Sequence, residues 1–130
     1  MEIIMKPIGY IKTSYTNDEV MPRQSIDSMD EEGTIEILDE YKEGIKDIEA
    51  GSYVTILFYF HKSDQWSLIS KRRNNNGIYS TRSPRRPNGI GMSVVKIASV
   101  ENSKLKFFGV DMLDGTPVLD IKPYIEEFVR

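Results

Sequence analysis

Apolar positions along this chain come in short runs, and most of the runs alternate with polar residues. Over residues 3–14, Ile4, Ile8, Tyr10 and Ile11 stand among glycine and threonine, the pattern of a strand with an early Pro7. Residues 15–33 scatter Asn, Asp, Pro and Ser with almost no periodicity and predict a long loop, a place where small domains often keep function. A short β-type run follows at residues 34–38. Residues 39–49 set Tyr41, Ile45 and Ile48 at spacings of four and three, which predicts a short amphipathic helix with Asp39 at its N-cap. Residues 53–60, Tyr-Val-Thr-Ile-Leu-Phe-Tyr-Phe, are apolar enough for a central strand buried on both faces.

The second half alternates strand and loop. An exposed segment at 63–76 leads to a short run at 77–81 and then to a proline- and arginine-rich loop at 82–91. Residues 92–100 and 104–110 are β runs on either side of Glu101-Asn102-Ser103, which predicts a hairpin. An aspartate-rich loop at 111–116 precedes a short strand at 117–121, and residues 124–129 have weak helical spacing. Six or seven strands against one clear helix predict a mostly β protein, a compact antiparallel β-barrel with one or two short helices, forming a single domain over residues 1–130.

Composition narrows the chemistry. The chain has no cysteine, which excludes disulfides, thiolate nucleophiles and cysteine-based metal sites, and its single histidine, His61, excludes a multi-histidine centre within one subunit. No metal is expected. The longest apolar stretch, residues 54–60, is far short of the roughly 20 residues a membrane-spanning helix needs, and the N-terminus lacks a secretory pattern. A soluble, cytoplasmic protein with no membrane partner is therefore expected. The charge is unevenly spread: residues 65–100 contain no Asp or Glu but hold Lys71, Arg72, Arg73, Arg82, Arg85, Arg86 and Lys96, a +7 window in a chain of net charge −3. That polarity offers an anion a local site without suiting a non-specific nucleic-acid coat.

Four segments hold candidate chemistry. Residues 81–93 combine prolines that fix the backbone, glycines that admit a ligand close to it, and arginines that supply forked donors. The plainer alternative is a connecting loop whose arginines pair with residues 27–49, which carry ten acids and two lysines. Asp111 and Asp114 flank a strand end, Asp114-Gly115 demands a tight turn and Pro117 starts the next strand. An ordinary β-turn would explain that segment, and it does not reproduce a calcium-binding loop. Pro22-Arg23-Gln24 in the early loop and His61-Lys62 after the central strand complete the set. The glycine-rich dinucleotide fingerprint, the Walker loop and the serine-hydrolase elbow are absent. The residues themselves suit a ligand that carries both charges.

Taken in order, these segments resemble the TrmO-like, or TsaA-like, family of S-adenosylmethionine-dependent tRNA methyltransferases over nearly the whole chain. The resemblance is carried by Ile8-Gly9-Tyr10-Ile11, by Pro22-Arg23-Gln24, by Leu57-Phe58-Tyr59-Phe60-His61, by Thr81-Arg82-Ser83-Pro84 with Arg86-Pro87-Asn88, Ile90-Gly91 and Ser93, and by Asp111 with residues 114–124. It implies a β-barrel methyltransferase working as a homodimer, with transfer to N6 of the threonylcarbamoyl-modified adenosine just 3′ of the tRNA anticodon. Carried over, the S-adenosylmethionine pocket draws on Pro22, Arg23, Gln24, His61, Lys62, Arg82, Met92, Asp114, Gly115, Thr116 and Pro117. Asp111 or Asp114 could face the cofactor's sulfonium and ammonium, and Arg82 or backbone N–H groups its carboxylate. His61, Asp111 and Asp114 are the candidate catalytic groups, with unassisted proton loss to water as the alternative. Arg72, Arg73, Arg85 and Arg86 suit RNA phosphates.

Two departures stand out. Gly89 occupies the place of a family proline, which should loosen the loop, and the chain ends soon after Tyr124, the mark of a short form without the C-terminal domain of longer members. They leave open a methyltransferase for another RNA or a small molecule, and a non-catalytic barrel that binds the cofactor or RNA.

Overall fold

In a computed structural model, residues 1–16 and 31–125 are described. Six antiparallel strands, β1 (Gly9–Lys12), β2 (Glu32–Ile37), β3 (Tyr53–Tyr59), β6 (Ile90–Glu101), β7 (Lys104–Phe108) and β8 (Pro117–Pro123), close into a barrel in the order β1-β2-β7-β6-β3-β8. Two further short strands, β4 (Ile69–Ser70) and β5 (Asn76–Gly77), pair with each other as a separate ribbon between β3 and β6.

The barrel follows from alternation. In β3, Val54, Ile56 and Phe58 point inward and are buried, while Tyr53 and Tyr59 are exposed and Thr55 and Leu57 are half-buried. The expectation of a strand buried on both faces is thus corrected: a closed barrel has one interior, and its outer wall meets only loops and water. Ile11, Ile35, Val95, Ile97, Leu105, Phe107 and Val118 fill the same interior from the other strands. Two register shifts, between Leu57 and Phe58 against β8 and between Ile97 and Ser99 against β7, supply the local bends that closure needs. The β6–β7 hairpin turns as expected, with Asn102 in the left-handed region at φ 51°.

Other expectations shift at the edges. The strand expected over residues 3–14 forms only at Gly9–Lys12; Ile8 still bonds to Leu38 and Val118, and the pairing stops at Pro7, which lacks an N–H to donate. The expected short helix forms as a 3-10 helix, Asp39–Ile45, with Leu38 rather than Asp39 at its N-cap and no side-chain cap. Like charges at Asp39 and Glu43, and at Glu43 and Asp47, oppose an α-helix there. Its apolar face is nevertheless the expected one: Ile45 is buried, and Tyr41 and Ile48 pack on the core. Of two more 3-10 turns, Lys71–Arg73 connects β4 to β5 and Ile78–Ser80 follows β5. Tyr124 and Ile125 have no regular structure, and the rest of the expected terminal helix lies outside the described residues.

Following the registers around the barrel brings Lys12, Glu32, Tyr59, Ile90, Phe108 and Pro117 to one end. The chain segments 13–31, 60–89 and 109–116 therefore all leave from that end. The 3-10 helix and the β6–β7 turn belong to the other.

Glycine spacing at this end is testable. A Cβ on Gly91 would lie 2.6 Å from the Phe58 ring and 2.7 Å from Phe60, whereas one on Gly89 would meet Tyr59 at an ordinary 3.5 Å. Gly91→Ala should cost about 1–3 kcal/mol in denaturant unfolding, as overpacking does, and Gly89→Ala about 0.5 kcal/mol or less. Equal effects would contradict this packing.

Candidate functional site

His61 is positioned by the aromatic end of β3. Phe58 and Phe60 pack edge to face, with centroids 5.2 Å apart, over the bare backbone of Gly91. The Phe60 N–H donates to the Gly89 carbonyl at 2.7 Å, and the chain turns so that the His61 N–H donates back to Tyr59 at 2.9 Å. The half-buried imidazole then faces the aspartate turn: the nearest atom to a Cβ built on Gly115 is His61 Nε2, 3.9 Å away. Gly115 sits at φ 81°, a conformation reserved for glycine, and the space beside its α-carbon is otherwise open.

The aspartate turn is held against β1. Asp114 Oδ1 accepts the Thr13 N–H at 3.1 Å, the Asp114 N–H donates to Tyr15 at 2.7 Å, and the Gly115 N–H donates to Ile11 at 2.8 Å. Thr116 is buried, and both its N–H and its hydroxyl donate to the Leu113 carbonyl. The N–H groups of Asp114, Gly115 and Thr116 are therefore committed within the protein. Pro117 opens β8 opposite Tyr10.

A second group lies on the same end. Arg82 is exposed and its Nη1 donates to the Met92 carbonyl at 3.5 Å, so the two expected pocket residues do meet. Asp111 accepts the Ser93 hydroxyl at 3.2 Å on the inward side of β6. Arg86 directs its Nη1 to the carbonyls of Thr81 and Ser83 at 2.8 and 3.0 Å and so clamps its own loop, while Arg85 is exposed. Among the described residues the side-chain ion pairs are Lys42–Asp39, Lys104–Glu36 and Lys122–Asp120, none of which uses an arginine of this loop. The alternative of an arginine loop neutralised by the acidic stretch finds no support there. Pro22, Arg23 and Gln24 lie outside the described residues.

Arg72 and Arg73 are exposed in the Lys71–Arg73 turn, followed by Asn74 and Asn75 in the left-handed region. From this part of the chain the sequence pointed only to the arginines, and Trp66, Leu68, Ile69 and Tyr79, all large and all exposed, were missed. The available signal was a lone tryptophan inside the acid-free window. Among the described residues no group of three or more His, Asp or Glu is arranged to hold a metal ion, and no helix is long and apolar enough to cross a membrane.

A closed antiparallel barrel that gathers one imidazole, a carboxylate turn and an arginine loop on a single end is a barrel-type ligand-binding protein, unlike an open α/β sheet. The family described as the tRNA-methyltransferase O N-terminal domain matches residues 10–129, and the chain belongs to this S-adenosylmethionine-dependent methyltransferase family. It is 39% identical over 128 residues to an S-adenosyl-L-methionine-binding protein of Archaeoglobus fulgidus, covering 96% of this chain and 91% of that protein. It is 37% identical over 136 residues to a mouse tRNA (adenine(37)-N6)-methyltransferase, covering 97% of this chain and 32% of that one. The crystal structure of TrmO from Pseudomonas aeruginosa superposes with a TM-score of 0.84 at 40% identity, and this chain covers 58% of it. The chain thus spans well under two thirds of the mouse enzyme and of that solved structure.

The electrostatics of His61 can be checked directly. Burial, with the charge of Lys62 adding to it, lowers the imidazole below its ordinary 6.5, against the pull of the Asp114 backbone and carboxylate. The single histidine C2–H resonance should titrate below 6.5, move up in Lys62→Ala and down in Asp114→Asn. The folded protein favours the neutral ring, so this contribution to stability is present above 6.5 and lost as pH falls through the folded value. A midpoint above 6.5 would contradict this arrangement.

Proposed function

We propose that residues 1–130 act as one barrel domain that binds S-adenosylmethionine at its loop end and methylates N6 of threonylcarbamoyladenosine beside the tRNA anticodon. The observation that carries this reading is convergence: His61, the arginine loop and the aspartate turn, far apart in sequence, meet at one end of a barrel of the TrmO family. The name of the mouse relative supports adenine N6 of tRNA as the acceptor. A homodimer in the cytoplasm, where tRNA is found, belongs to the same reading.

The residues present fit the cofactor. The open space beside Gly115 is bordered by His61, and Asp114 contributes a carboxylate next to it. Asp114 suits a positive sulfur or ammonium, and exposed Arg82 and Lys62 suit a carboxylate. When bound, S-adenosylmethionine supplies an electrophilic methyl carbon on its sulfonium. The chain then has to align the acceptor nitrogen with that carbon, which is chiefly a matter of positioning. His61, whose imidazole is lowered by burial and by Lys62, is the group this reading assigns to take the N6 proton. Asp111 accepts from Ser93 and Asp114 from Thr13, which holds both carboxylates in place at the loop end, where they suit the positive groups of the cofactor.

Calorimetry and nucleoside analysis test this. S-adenosylmethionine should bind the wild-type protein, and Arg82→Ala should weaken it about tenfold. Arg72→Ala with Arg73→Ala should leave that affinity intact, lower RNA affinity, and reduce the salt slope by about two units. Mass spectrometry of tRNA from cells lacking the gene should show loss of the methylated threonylcarbamoyladenosine. Binding without that loss would favour another acceptor, or a sensor; no heat with S-adenosylmethionine would overturn the reading itself.

A further inference from the structure

The excursion between β3 and β6 is a built layer. Ile78 and Ser83 are buried beneath it, at 1% and 3% exposure, and β4 pairs with β5. The Ile78 N–H donates to the Leu68 carbonyl at 2.8 Å and the Ser67 N–H to the Arg85 carbonyl at 3.3 Å, so residues 66–69 run between the 78–80 turn and the arginine loop. The Ser67 hydroxyl closes on the Ile69 carbonyl at 2.8 Å.

The outer face of this layer is unusual in composition. Trp66 and Tyr79 are 58% and 74% exposed, with Leu68 and Ile69 also open to solvent. Lys71, Arg72, Arg73, Arg82 and Arg85 are exposed in the same excursion, and the window 65–100 holds no acid. Asp64, in a cleft of about 120 Å³ that also borders Trp66 and Arg86, is the neighbouring acidic residue. An exposed aromatic and aliphatic patch is a binding surface waiting for cover. A second copy of this chain fits poorly, because a two-fold interface would set the patch against itself and bring its cations together. An anionic polymer with flat apolar faces fits both features: bases stack on aromatic rings, and phosphates meet arginine and lysine.

We infer that Trp66 and Tyr79 are stacking sites for unpaired bases of the substrate RNA beside the methylated nucleotide, with Lys71, Arg72, Arg73 and Arg85 on the adjoining phosphates. This rests on the RNA reading above and goes beyond it, naming what part of the RNA the layer takes. Base stacking requires single-stranded or looped RNA, since bases within a duplex have no free face. The layer therefore selects an unpaired loop over a stem.

Trp66 is the only tryptophan, so its emission reports this surface alone. The full chain is titrated with an end-labelled anticodon stem-loop RNA and with a duplex RNA of equal length, binding being followed by the label and stacking by tryptophan emission. Quenching should track saturation by the stem-loop and be small with the duplex. Trp66→Ala with Tyr79→Ala should lower stem-loop affinity about ten- to a hundredfold, leave duplex affinity and S-adenosylmethionine affinity within about twofold, and Trp66→Phe should recover part of the loss. Labelled stem-loop that binds with unchanged emission, and binds the double variant equally well, overturns the stacking role and leaves the RNA reading standing. Absence of any RNA binding overturns both. An emission shift that follows protein concentration without RNA, or that anionic phosphatidylserine vesicles produce and RNA does not, assigns the face to self-association or to a lipid surface and overturns the inference.

Discussion

Pairing between the first strand and the last is the interaction on which the rest of this structure depends. The Ile11 N–H donates to the Thr116 carbonyl at 2.9 Å and the Gly115 N–H returns to Ile11 at 2.8 Å, just beyond the ladder that joins Gly9 to Val118. Without it the sheet would keep two bare edges, and Ile11 and Val118 would lose the closed interior that buries them. The same bonds draw the aspartate turn onto the end of β1, where Thr13 and Tyr15 complete its attachment. Closing the barrel and assembling the site are therefore one event.

The histidine depends on packing in a second way. Gly33 and Gly91 lack side chains where Phe107 and Phe58 need room: a Cβ would come within 2.7 Å and 2.6 Å of those rings. Large rings opposite bare backbone are how a small barrel fills its tapering interior. At Gly91 this arrangement also seats Phe60 and so turns His61 toward Gly115. The orientation of the one titratable ring is thus a consequence of core shape. Its lowered pKa then follows from burial and from Lys62.

The loop end carries the arginines of the acid-free window together with Asp64, Asp111 and Asp114, and the opposite end carries the Asp39–Ile45 helix with Asp47 and Glu49 beside it. A groove of about 300 Å³ lined by Asp47, Glu49, Tyr53 and Lys122 lies at that acidic end, away from the site. The exposed ion pairs, Lys104 with Glu36 among them, add little to stability.

Much was legible in the residues alone. Alternation foretold the strands and the β6–β7 hairpin, because inward and outward positions on a pleated strand must differ in polarity. The Asp114–Gly115 turn was legible too, since turn chemistry is local, and the motif residues His61, Arg82 and Met92 lie with it at one end of the barrel. The helix over residues 39–45 was legible but its 3-10 type was not, because spacing reports which face is apolar and does not report whether like charges let an α-helix form. Three matters belonged to tertiary structure: the commitment of the turn's N–H groups to Ile11, Leu113 and Tyr15, the clamp that Arg86 forms on its own loop, and the exposure of Trp66 and Tyr79 on one layer. Each depends on which distant segments the closed barrel brings together, and a one-dimensional pattern carries no record of that.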